Sequence, residues 1–86
     1  MILEVIKSEY ISEYKIKLWF NNGETKVVDL KSSIFNDRRK IFEQLRNIDY
    51  FKKFDIVLNT IGWENGLDLA PEYLYELETV DELVMN

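Results

Sequence analysis

Residues 14–30, Y-K-I-K-L-W-F-N-N-G-E-T-K-V-V-D-L, leave this chain few alternatives. Tyr14, Ile16, Leu18 and Phe20 fall on one side of an extended segment, and Lys15, Lys17 and Trp19 on the other, because side chains alternate along a strand. A second β-prone run, residues 25–30, follows Asn22-Gly23. Both residues of that dipeptide tolerate positive φ, so two runs joined by it read as a hairpin. A two-residue turn there sets Leu18 opposite Val27 and Ile16 opposite Asp29. The second pairing places a carboxylate on a core face. Either Asp29 ends the sheet and caps the loop that follows, or a bulge shifts the register.

The remaining segments can be read around that hairpin. Residues 2–8 form a weakly alternating first strand, with Ile2, Glu4, Ile6 and Ser8 on one face and Leu3, Val5 and Lys7 on the other. Residues 31–36 connect to a helix over about 37–47, in which Ile41, Phe42, Leu45 and Ile48 share a face and Asn36 or Asp37 is the N-cap. An aromatic turn over 49–54 leads to a short strand at 55–58, turned by Asn59-Thr60 into residues 61–64. A second Asn-Gly, Asn65-Gly66, precedes Leu67-Asp68-Leu69. Pro71 suits the first position of a helix over 71–78, with Tyr73, Leu74 and Leu77 inward. Residues 79–86 are an acidic tail in which Val80, Leu83 and Val84 suggest weak packing. No repeat or linker divides residues 1–86, so a single domain is expected. The order implies an α+β fold: a small antiparallel sheet built from hairpins, one central helix and a short C-terminal helix.

Several chemistries are closed to this inventory. There are no cysteines and no histidines, so thiolate nucleophiles, disulfides, zinc–thiolate sites and the commonest general base are all absent. No apolar run approaches the ~20 residues of a membrane span, and the N-terminus does not resemble a signal peptide. A cytoplasmic location is expected, with no metal and no cofactor. Charge is unevenly placed: residues 1–53 hold all 11 Lys and Arg, and residues 54–86 hold acids but no base. Such a split can steer an oppositely charged partner or favour self-association, although two solvated faces suffice to explain it.

Residues 14–30 and residues 63–75, W-E-N-G-L-D-L-A-P-E-Y-L-Y, resemble a family of small, mostly bacterial proteins, domain of unknown function 2442. The first stretch is similar to its F-x-N-G-E…D-L hairpin and the second to its W-x-N-G-x-D-L-x-P-x-x-L-Y ending. The resemblance spans about residues 2–76. It implies a compact α+β domain with no established catalytic activity, encoded beside another small protein or joined to a helix-turn-helix. No helix-turn-helix is expected within these 86 residues.

Three constellations compete as sites. Trp63, Asn65, Asp68 and Tyr75 can meet as a small recognition pocket in a ligand-binding or enzymatic domain. Each also has a sufficient local purpose: a turn at Asn65-Gly66, Asp68 accepting backbone amides ahead of Pro71, and Trp63 and Tyr75 in the core. Arg38, Arg39, Lys40, Arg46, Lys52 and Lys53 form a basic surface able to meet phosphates. A sequence pI near 4.7 and pairing of Glu43 with Arg39 or Arg46 favour a solvated helix face over nucleic-acid binding. The acids Glu72, Glu76, Glu78, Asp81 and Glu82 lack the calcium-loop pattern. The expectation that remains is a noncatalytic module that contacts another protein or a second copy of itself.

Overall fold

The structure, a computed structural model, describes residues 2–81. In chain order it contains β1 (Val5–Ser12), β2 (Lys15–Phe20), β3 (Thr25–Asp29), α1 (Lys31–Phe35), α2 (Lys40–Glu43) continuing into a 3-10 turn (Gln44–Arg46), α3 (Ile48–Phe51), β4 (Asp55–Val57), β5 (Thr60–Gly62) and α4 (Pro71–Glu76). Strands β1, β2 and β3 make one antiparallel sheet in that spatial order, and β4 pairs with β5 in a second. The α+β class built from antiparallel hairpins therefore holds, with the central helix divided into short pieces.

The hairpin confirms the pattern of residues 14–30 and takes the register shifted by a bulge. The Phe20 amide donates to the Glu24 carbonyl at 2.8 Å, and the Gly23 amide donates to the Phe20 carbonyl at 3.1 Å, leaving a three-residue loop. Gly23 closes it at φ 89°, the left-handed position of a bulged turn. The extra residue shifts the pairing by one, so Ile16 faces Val28, Leu18 faces Lys26, and Asp29 faces Lys15 away from the core. Asp29 then accepts the Lys31 amide at 3.0 Å and turns the chain into α1. Lys26 is the residue this register brings to the core side. Its long side chain reaches past the Tyr75 ring, 5.1 Å from its centroid, and donates to the carbonyls of Tyr75 and Leu77 at the end of α4. A cation there complements the helix's negative end.

Strand β1 runs from Val5 to Ser12 rather than over 2–8, and carries irregularities between Val5 and Lys7 and between Tyr10 and Ser12. Ile6 is the unpaired residue of the first and is 60% exposed. Bulges of this kind spoil an edge as a template for further strands. The connector expected at 31–36 is helical as α1, and Asn36 ends that helix rather than starting the next. Asp37 accepts the Arg39 amide at 3.0 Å, and Asn47 accepts the Tyr50 amide at 3.1 Å to start α3. Short polar side chains that bond nearby amides interrupt a helix, which is why the run over 37–47 does not form one continuous rod.

The core lies between the larger sheet and these helices. Ile16, Leu18 and Phe20 from β2, with Val5 and Val28, pack with Ile34, Phe42, Leu45 and Phe51, and with Ile61, Trp63 and Leu74. The β4–β5 turn uses Leu58 and Asn59, at φ 50° and 69°, one residue earlier than Asn59-Thr60. Thr60 is thereby buried, its hydroxyl donating to the Leu69 carbonyl. In α4, Pro71 takes the first position and Leu74 is fully buried, whereas Tyr73 is 44% exposed rather than inward. The Val80 amide donates to the Val27 carbonyl at 2.8 Å, laying the start of the tail along β3; Leu83 and Val84 lie outside the described residues. Among the described residues no helix is long and apolar enough to cross a membrane.

No atom would lie within 4 Å of a Cβ added at Gly23, so its requirement is conformational and not steric. Gly23→Ala should cost about 1–2 kcal/mol in urea unfolding, and Gly23→Asn distinctly less, since Asn tolerates the left-handed region.

Candidate functional site

The segment Trp63-Glu64-Asn65-Gly66-Leu67 repeats the architecture of the first hairpin loop. The Trp63 amide donates to the Leu67 carbonyl at 2.8 Å, and the Gly66 amide donates to the Trp63 carbonyl at 3.0 Å. Gly66 lies at φ 94°, and Asn65 accepts the Leu67 amide at 3.0 Å as Asn22 accepts that of Glu24. The same spacing of Asn and Gly gives the same loop twice. Around this loop the expected pocket residues separate. Trp63 is 5% exposed, and its indole donates to the Phe51 carbonyl at 2.7 Å. Asn65 donates to the Ile41 carbonyl at 3.1 Å and to Gln44 at 2.9 Å, binding the loop to α2. Tyr75 lies elsewhere, edge-on to Phe20 at 5.1 Å, with its hydroxyl donating to Glu24 and accepting from Asn22 in the first hairpin loop. These three side chains hold elements together.

Asp68 is different. Its neighbours Leu67 and Leu69 are buried, and its backbone bridges Gly62. Its carboxylate is exposed and makes no hydrogen bond or ion pair among the described residues. It does not cap α4, whose N-cap is Ala70 with no side-chain acceptor. Instead it lines a cleft of about 240 Å³ between α1, the start of α2 and the start of α4, together with Ser33, Asp37, Arg39, Phe42 and Tyr73. Phe42 is the buried floor. Arg39 stands 5.0 Å from its ring centroid and grips Asp37 through two contacts, at 3.0 and 2.8 Å. Those bonds from the guanidinium hold the Asp37 carboxyl below its ordinary range. Ser33 and Tyr73 share a hydrogen bond across the cleft. Residue spacing alone could not reveal this site, because Ser33 and Tyr73 meet only through packing.

The basic residues do not form one free surface. Arg39 is committed to Asp37 rather than to Glu43. Arg46 is half-buried, 5.5 Å from the Phe35 ring, and donates to the Asp37 carbonyl at 3.3 Å. Lys52 pairs with Asp49 at 3.8 Å, while Arg38, Lys40 and Lys53 are exposed.

A second surface feature lies at the β4–β5 turn. Leu58 is 88% exposed and Val57 42% exposed. The Val5 amide donates to the Asn59 carbonyl at 2.9 Å, which sets this tip beside the β1 bulge that carries Ile6. Val57 and Asp68 both lie against Gly62, within 3.3 and 3.4 Å of where its Cβ would stand. The apolar tip and the Asp68 cleft are therefore adjacent.

These features define a small α+β domain with two bulged Asn-Gly loops. Residues 5–79 match the family described as "Protein of unknown function (DUF2442)", and the chain belongs to that family. No curated protein and no solved structure matches it.

Trp63→Phe should cost about 1–3 kcal/mol by stranding the Phe51 carbonyl, and Trp63→Ala about 3–5 kcal/mol. Asp68→Ala should leave the melting temperature within the small range of ordinary surface substitutions, about ±0.5 kcal/mol. Thermal denaturation of the three variants checks both statements. Tyr75 offers a pH test. Its hydroxyl bond to Glu24 raises its pKa above the usual value. The stability this contact contributes is therefore complete below about pH 10 and is lost as pH rises through the folded-state value. Ultraviolet titration should show Glu24→Gln moving that tyrosine back down.

Proposed function

We propose that this domain is a noncatalytic protein–protein interaction module that engages its partner through the β4–β5 tip. One observation carries this: Leu58, an apolar residue in the left-handed conformation, is almost fully exposed. A non-glycine residue there costs about 1–2 kcal/mol, and Asn or Gly would suit the turn better. Among the described residues Leu58 is neither part of the core nor packed against it. An exposed apolar side chain on a rigid two-residue turn is suited to entering a pocket on another protein. Val57 and Ile6 beside it extend the apolar area. The partner is a second protein, for which a small protein encoded next to this one is the first candidate, or a second copy of this chain.

Stability and binding should move in opposite directions in Leu58→Asn. Its melting temperature should rise, by an amount equivalent to about 1 kcal/mol, while affinity capture of the partner and any self-association seen by sedimentation should fall sharply. Asn59→Gly is the control, since it relieves the same turn and keeps the leucine. Undiminished capture by Leu58→Asn would overturn the proposal.

A further inference from the structure

We propose that the cleft beside the tip receives one cationic side-chain head group, the guanidinium or ammonium of a basic residue on the partner. The partner's being a protein rests on the function proposed above; the charge preference of the cleft does not. Asp68 is the exposed carboxylate of this cleft, and no basic residue of the domain neutralises it. The one cation present, Arg39, already holds Asp37 with two hydrogen bonds. Two carboxylates against one guanidinium leave the cleft one negative charge, so it attracts a single positive group and repels an anion. The Ser33 and Tyr73 hydroxyls supply further acceptors, and the Phe42 ring supplies an apolar floor against which the stem of a long basic side chain can lie. The volume of about 240 Å³ suits one side chain better than a ligand of drug size, whose pockets begin near ~300 Å³.

Asp68 also stands apart in the second loop-and-helix segment. Trp63, Asn65 and Tyr75 each hold two elements together, and Leu67 and Leu69 are buried. The Asp68 side chain makes no such contact, and it lines the cleft from between the two buried leucines. Because Val57 and Asp68 flank Gly62, a partner whose pocket receives Leu58 can place a neighbouring Arg or Lys in the cleft. A charge-assisted contact of this kind fixes register and orientation across an otherwise apolar interface.

The test uses the full chain, isotope-labelled, titrated with N-acetyl-arginine-methylamide, with the uncharged citrulline analogue and with free arginine. The blocked arginine should shift the amide signals of Asp68, Leu69 and Tyr73, and the citrulline analogue should bind at least about tenfold more weakly. Asp68→Asn should reduce arginine binding by a similar factor with no change in melting temperature. Equal binding of citrulline, or undiminished binding by Asp68→Asn, would overturn the proposal. Tighter binding of free than of blocked arginine would also overturn it, by assigning the cleft to a free small molecule. The Leu58→Asn domain should still bind blocked arginine. If it does while its partner capture is unchanged, the tip fails and the cleft stands.

Discussion

The contact on which the rest depends joins Trp63 to Phe51. The indole stacks at a tilt 5.8 Å from the Phe51 ring and donates to the Phe51 carbonyl at 2.7 Å. Phe51 in turn meets Tyr14 at 5.2 Å and Tyr10 at 6.4 Å. One aromatic cluster thus ties the larger sheet, α3 and the loop that follows β5. In a domain this small the helices are too short to be stable alone, since isolated helices below about 12–15 residues are marginal in water. Their order comes from docking onto this cluster, and the buried carbonyl at Phe51 makes the docking directional.

Around that centre two copies of one local device orient the chain. Each Asn-Gly loop adds a residue to its hairpin and bends it, so the first delivers Lys26 to the core side and the second delivers Leu67 and Leu69 to the core with Asp68 outward. Tyr75 bonds back to the first loop and Asn65 bonds α2 from the second. Each loop is therefore also a contact surface for a helix. The bulges set the alternation, and the alternation leaves Asp68 alone in pointing to solvent between two buried leucines.

The surface follows from the same geometry. Short polar side chains at Asp37 and Asn47 interrupt the helical run, and the break between α1 and α2 leaves the concavity that Asp68 and Tyr73 close from the other side. A continuous helix over the same residues would have presented its basic side chains as a stripe. Broken as it is, it spends Arg39 on Asp37 and half-buries Arg46.

By itself the sequence determined the α+β class, the hairpin at residues 14–30, the inward row of Tyr14, Ile16, Leu18 and Phe20, the helix starting at Pro71 and the family. These depend on neighbours in the chain: alternation, turn residues and a proline that tolerates only certain positions. Tertiary structure alone decided the register of the hairpin, because a two-residue and a three-residue Asn-Gly loop share the same dipeptide and differ in which pairing buries apolar side chains. It also decided how the central helix divides, since Asp37 and Asn47 can either ride on a helix or bond the backbone ahead of them, and packing of Phe42, Leu45 and Phe51 selects between the two. The cleft and the tip were beyond reach of the sequence for the same reason. Ser33 comes from a segment distant from that of Asp68 and Tyr73, and the exposure of Leu58 and of the Asp68 carboxylate is set by what the fold does not bring against them.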